Sequence, residues 1–225
     1  MLNKMTLKNV KPELDAAFKA FQSYGDARQL AITEKNSIVK ECRESIATVH
    51  SANSANSVNR EDLIKDAQEK AEKAGQMLKT FQKRMKGDYG KSWSRSLYTF
   101  VADAEQEIVE AFSVLAVMKR DDIPPMDIQF RAQDPDSYLK TKTTVRVSYE
   151  AYVMGLLDCV LELKRVVLDS LDRSDDGHAS DVFKTMHELF NVLERFMQFS
   201  NSVDGLKVKI DKARYEVSET LKLLK

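Results

Sequence analysis

The sequence predicts an all-α protein, a single elongated helical bundle of about six to seven helices spanning residues 1–225. Three observations lead there. Only seven glycines and four prolines occur in 225 residues, and three of the prolines crowd into 124–135, so long stretches are free of helix breakers. Those stretches are rich in Ala, Leu, Lys, Glu and Gln, which favour helix. Their apolar residues recur mostly at three- and four-residue spacing. No repeat of 20 to 50 residues is evident, which favours one bundle over a solenoid.

After Pro12, the positions Leu14, Phe18, Phe21, Ile32, Ile38, Val39, Cys42, Ile46 and Val49 predict a first helix of about ten turns ending at His50. The polar run SANSANSVN, 51–59, is expected to end it. Asn59 with Asp62 reads as the cap of a second helix reaching Lys86, followed by a turn at Gly87-Asp88-Tyr89-Gly90. A third helix is expected over 92–120. Pro124-Pro125 and Asp134-Pro135 mark 121–144 as a long connecting loop. Ser148 is placed to cap a fourth helix over 149–172, and Asp175-Asp176-Gly177 to turn the chain. Helices over 179–200 and 203–224 complete the bundle, with a break at Ser200-Asn201-Ser202.

Charge and composition narrow the function. With 43% hydrophobic residues the chain can bury a core, and 35 basic residues balance 35 acidic ones. Net neutrality disfavours a protein that coats nucleic acid with its whole surface, but permits a local basic channel. No run approaches the ~18 to 20 apolar residues of a membrane span, and the opening MLNKMTLKNVKPELD lacks the apolar core of a secretory signal. The expectation is a soluble protein with no membrane partner, working in the cytoplasm and also in the nucleus. Cys42 and Cys159 lie far apart with no second Cys or His at ligand spacing, so both read as reduced, buried thiols. No P-loop, G-x-G-x-x-G or G-x-S-x-G occurs. None of His50, His178 and His187 has a Glu three residues before it, which removes the ferritin-like di-iron pattern. Each histidine reads as a surface or satisfied core residue.

Two places look chemical. Residues 151–163, AYVMGLLDCVLEL, are apolar almost all round the helix, yet Asp158 and Glu162 interrupt them four apart and share a face. In the third helix Glu107 and Glu110 stand three apart ahead of AFSVLAVM. A carboxylate beside such surface needs a cation, a hydrogen bond or a proton. Four acids on two helices could hold one or two divalent ions, and all-oxygen ligation suits Mg²⁺ or Mn²⁺, with phosphodiester hydrolysis the fitting chemistry. Spacing alone leaves a plainer reading open, in which the acids are solvated or paired with nearby Lys and Arg.

The second place is KTFQKRMKGDYGKSWSR, 79–95. Here Lys83, Arg84, Lys86, Lys91 and Arg95 are interleaved with Tyr89 and Trp93, the mixture a single-stranded nucleic-acid site uses to hold phosphates and stack bases. The alternative is that the cations solvate a helix end and Trp93 packs inward. Lys207, Lys209, Lys212 and Arg214 form a weaker cluster diluted by acids, which reads as an ordinary charged helix face.

Four fragments in order resemble the translin family, and more closely its translin-associated factor X (TRAX) branch. They are FKAFQSYGDARQ (18–29), QEIVEA (106–111), RVSYEAYVMGLLDCVLELKR (146–165) and DGLK (204–207). The resemblance implies a helical fold that assembles with translin into closed octamer-like shells, with RNA handled on the inner surface. It also implies that TRAX-type subunits supply a Mg²⁺-dependent endoribonuclease site. Carried over residue by residue, the catalytic and metal-binding acids are Glu107, Glu110, Asp158 and Glu162, the four already paired by spacing. The sequence departs from the family at Leu161, where a small residue commonly precedes the last Glu, at Cys159 and Val160, which differ from the usual D-L-x, and at Arg214, commonly acidic. The resulting expectation is a subunit that cleaves single-stranded RNA, with a non-catalytic binder of single-stranded RNA or DNA and a helical scaffold as rivals. Met118, Phe183, Phe190, Phe196 and Phe199 exceed what one bundle of this size needs, so an oligomer is expected.

Overall fold

The computed structural model describes residues 10–55, 57–88, 95–133 and 140–224. Helix α1 (Lys11–Ser54) is about 66 Å long at 1.5 Å per residue and forms the spine. Against it pack α2 (Ser57–Asp88), α3 (Arg95–Lys119) and α4 (Tyr149–Leu171). Helices α5 (Asp176–Leu193) and α6 (Leu206–Leu223) then pack on α4. The all-α class stands as the sequence predicts, with six α-helices among the described residues.

The boundaries shift where tertiary contacts outweigh local preference. Helix α1 does not stop at His50 but continues through the polar Ser51–Ser54, because Asn53 is buried there. Asn53 Nδ2 donates to the Val166 carbonyl at 3.1 Å, and Arg173 donates to Asn53 Oδ1 at 3.0 Å. These bonds to the end of α4 hold a weak helix-forming segment in helix. Helix α2 starts at Ser57, two residues before the expected cap, and runs to Asp88 through the first half of the expected turn. The rest of that turn, Tyr89 and Gly90, lies outside the described residues.

The expected loop over 121–144 is the main correction. Strands β1 (Asp127–Gln133) and β2 (Lys140–Arg146) pair antiparallel there, with Phe130 opposite Thr143. The sequence pattern hides the hairpin because the two prolines and the Asp-Pro step dominate a segment whose alternation is short. Ile128, Phe130, Ala132 and Val145 face inward. Phe130 lies where Gly75 of α2 has no side chain, since a Cβ there would stand 2.8 Å from the ring. Lys79 and Gln82 of α2 add hydrogen bonds to Thr143 and to the Arg146 carbonyl.

Caps follow the sequence more closely. Ser148 Oγ accepts from the Ala151 amide at 3.3 Å and opens α4 as predicted. Asp175 caps α5, so that helix begins at Asp176, three residues early. Helix α5 gives way at Glu194–Phe199 to 3₁₀ geometry, and Gly205, at φ 78°, provides the left-handed residue that opens α6.

The buried stripe of α1, Ala27, Ala31, Ile38, Cys42, Ile46 and Val49, repeats every three to four residues or a double turn. Leu14, Phe18 and Phe21, counted into the same stripe from sequence, are instead exposed, because α1 extends beyond its neighbours at that end. Met118 and Phe190, expected to be surplus, are spent in the chain's own core, and Phe183 and Phe196 are partly buried against it. Phe199 alone of that set is exposed.

Candidate carboxylate site between α1, α3, α4 and α6

The site exists because α3 and α4 approach closely. A Cβ on Gly155 would stand 2.5 Å from the Gln106 carbonyl oxygen and 2.7 Å from the Val109 Cβ, so only glycine lets the two backbones meet there. Glu107 lies within this contact on α3 and Glu110 just past it, and Asp158 and Glu162 follow Gly155 along α4. The buried thiols Cys42 and Cys159 lie beside the acids. Burial pushes both well above the usual thiol value, and the neighbouring carboxylates, Glu110 among them for each, push further.

Each acid has its own surroundings. Asp158 accepts from Gln106 Nε2 at 2.7 Å and from the Lys209 ammonium of α6. Glu162 Oε2 lies 2.8 Å from His50 Nε2, and this hydrogen bond holds its carboxyl below the ordinary value, so the proton sits on His50 Nε2. Arg165 and Lys212 add positive potential at Glu162. Glu107 lies 3.5 Å from Arg43 Nη2, yet burial lifts its carboxyl above the ordinary value, with Asp158 adding to the lift. Glu110 makes no ion pair among the described residues. Burial raises it from 4.5 to about 8, reinforced by Asp158, Glu107 and Glu162, so at neutral pH it carries a proton.

The four acids therefore share one electrostatic neighbourhood, as their spacing on two helices predicts. They do not stand in coordinating geometry: among the described residues no group of three or more His, Cys, Asp and Glu could hold a metal ion as placed. Lys209, His50 and Arg43 each pair with one of them. The donor chemistry nevertheless fits a divalent cation, because the ligands would all be oxygen and Asp158, Glu107 and Glu162 all lie close enough to Glu110 to raise its pKa further than burial alone.

His50, Lys209, Arg43 and Gln106 were missed from sequence. His50 reads as isolated along the chain but is 4% exposed, with Nδ1 3.6 Å from Asp169 Oδ2 and Nε2 on Glu162. A signal existed, since it falls four residues after Ile46 on the buried stripe of α1. Lys209 departs from the ordinary charged face expected of its cluster, although Arg214 keeps to it, pairing with Glu194 and Asp211. Leu161 is partly buried against the core.

The basic segment is elsewhere. Lys83 and Lys86 are exposed on the last turns of α2, whereas Arg84 Nη1 is taken up by Glu34 at 2.6 Å. Lys91, Tyr89 and Trp93 lie outside the described residues, as does the side chain of Arg95, which opens α3. Along α1, Glu34 precedes Arg43 by nine residues and His50 by sixteen, so this segment lies about 14 to 24 Å from the acids along the spine.

A long spine helix with three-helix packing on one face, and paired acids on two helices held together at a glycine, defines a carboxylate-bearing α-helical bundle. The family model described as the translin family matches residues 26–220, and the chain belongs to that family. It is similar in fold to a solved structure described as an AfC3PO–duplex RNA complex, with TM-score 0.72, 21% identity and 94% of each chain covered. A crystal structure of AfC3PO matches at TM-score 0.72 and 22% identity over 94% of this chain and 95% of that one. Apo-NeC3PO matches at 0.69 and 18% over 95% and 96%. An uncharacterized protein of Methanocaldococcus jannaschii is 28% identical over 121 residues, 54% of this chain and 47% of its own length, so the match spans about half of that relative. No helix among the described residues is long and apolar enough to cross a membrane.

Proposed function

We propose that this chain is a TRAX-like subunit of a translin-type complex, a Mg²⁺-dependent endoribonuclease that cleaves single-stranded RNA by phosphodiester hydrolysis. The observation that carries the reading is the gathering of Glu107, Asp158 and Glu162 around Glu110, whose carboxyl is raised to about 8 first by burial and then by these three neighbours. Glu107, Glu110, Asp158 and Glu162 would hold the ion, Mg²⁺ or Mn²⁺, which when bound polarises the phosphodiester and lowers the pKa of an attacking water. The chain's own residues prepare the site. Gln106 orients Asp158, and His50 keeps Glu162 ionised and aimed. Arg43, Arg165 and Lys212 put positive charge at the rim, where a phosphate backbone would approach. RNA as the ligand class is supported by the similarity in fold to a protein whose description names a complex with duplex RNA. Translin as partner in an octamer-like shell rests on the resemblance of the four sequence fragments.

One observation favours the rival, a non-catalytic translin-like subunit binding single-stranded RNA or DNA: three of the four acids already have partners in Lys209, His50 and Arg43. Cleavage of a labelled single-stranded RNA, with and without chelator, separates the two. Chelation should stop cleavage and leave binding intact, and Asp158→Ala and Glu162→Ala should each lower cleavage by at least about a hundredfold in a folded protein. Full cleavage by both variants would end the assignment of these acids, and binding without any cleavage by the wild type would establish the rival.

A further inference from the structure

Helix α6 is held on α4 in a fixed register. Lys209 pairs with Asp158, and further along Lys164 pairs with Glu216, so the two helices run in the same direction. Gly205 starts α6 with its backbone against α4, where a Cβ would stand 3.6 Å from the Met154 methyl. The register brings the Lys209 ammonium onto Asp158 Oδ2, the oxygen that Gln106 also bonds. An ammonium has three donors and no acceptor, and here it stands where a cation would stand. The Lys209 side chain is 23% exposed, so its head can withdraw to solvent on a flexible stem without any movement of the helix.

We propose that Lys209 is a tethered cation that occupies the carboxylate site and that a divalent ion must displace from Asp158. The inference rests on the metal-binding reading above and adds to it a built-in competitor. A divalent ion and the ammonium cannot both lie against Oδ2, because their charges repel and they seek the same lone pair. The apparent affinity for the ion is therefore reduced by whatever the Lys209–Asp158 pair is worth. In exchange, the metal-free protein keeps Asp158 paired when it would otherwise be a half-buried, unneutralised carboxylate. Lys207, two residues earlier and exposed, carries the same charge on the same helix but makes no ion pair among the described residues, which makes it the control for surface charge alone.

The test is calorimetric titration of MgCl₂ and MnCl₂ into the full chain without RNA, for wild type, Lys209→Met, Lys209→Gln and Lys207→Met, each checked for cooperative melting. Lys209→Met should bind the ions roughly tenfold more tightly, the scale of one charge-assisted hydrogen bond no longer broken on binding. Its melting temperature should rise more on adding metal than that of the wild type. Lys209→Gln keeps a hydrogen-bond donor without the charge, and carries the test if Met at this position prevents folding. Lys207→Met should match the wild type. Wild-type binding with no tightening in the Lys209 variants would overturn the competitor role and leave the metal reading in place, and equal tightening in Lys207→Met would reduce the effect to surface charge. No binding by any of the four would instead overturn the metal reading.

Discussion

Glu110 is where the physics of this molecule is most concentrated. Burial and three neighbouring carboxylates act in one direction, and its folded pKa rises from 4.5 to about 8. The folded state thus holds this proton more tightly than the unfolded chain. The associated stability is fully present below about pH 4.5 and is lost as pH rises through about 8. Metal-free wild type should accordingly lose stability across that window, and Glu110→Gln, neutral throughout, should lack this component of the loss. Urea midpoints at pH 5, 6.5 and 8 check it, and parallel curves for the two proteins would contradict the placement of Glu110. That the four acids share one neighbourhood was legible in the sequence because a carboxylate in an apolar run is conspicuous at a known helical spacing. Of their partners only His50 carried a signal, its place on the buried stripe of α1; Arg43 and Lys209 come from helices distant in sequence, and nothing local distinguishes Lys209 from Lys207.

At the scale of elements, periodicity together with caps and turns located the six α-helices among the described residues, because each buries one stripe and leaves the rest to solvent. It failed where a boundary depends on distant contacts, as at Asn53, or where a short hairpin docks on another element, as at Phe130. The close approach at Gly155 is the element feature with the sharpest consequence. Alanine is the better helix former by about 1 kcal/mol, so Gly155→Ala would be expected to stabilise an isolated α4. Here its methyl meets the Gln106 backbone at 2.5 Å, and α3 must move away, with the overpacking costing about 1 to 3 kcal/mol in stability. Because Glu107 and Glu110 move with α3, the same variant should lose metal-dependent heat in a calorimeter out of proportion to its loss of stability. A Gly155→Ala protein as stable as wild type would show that the helices do not meet there. On the hairpin, Phe130→Ala should cost about 3 kcal/mol and speed amide exchange in β1 and β2 while leaving the acids in place.

At the scale of the whole molecule, two surfaces among the described residues stand out. Leu14, Phe18 and Phe21 lie on one side of the protruding start of α1, 58%, 69% and 76% exposed, an arrangement more apolar than a lone chain requires. Serine at Phe18 and Phe21 together should shift the protein towards smaller species in sedimentation without lowering its melting cooperativity. An unchanged distribution would move the expected assembly surface elsewhere, with the exposed Val208 and Tyr215 of α6 next in line. The other surface is basic. Lys83 and Lys86 are exposed at the end of α2, about 14 Å or more along α1 from the acids, too far to touch a scissile phosphate but within reach of the same strand several nucleotides away. Arg84 is committed to Glu34 and should contribute less. If the strand follows this surface, Lys83→Gln with Lys86→Gln should weaken RNA binding and flatten the slope of log K against log salt by roughly 0.7 for each phosphate no longer neutralised. Cleavage of a saturating short substrate should survive, because these side chains would hold backbone remote from the reacting atoms. A salt slope equal to that of the wild type would mean that the two lysines only solvate a helix end and that the strand enters past Arg43, Arg165 and Lys212 alone.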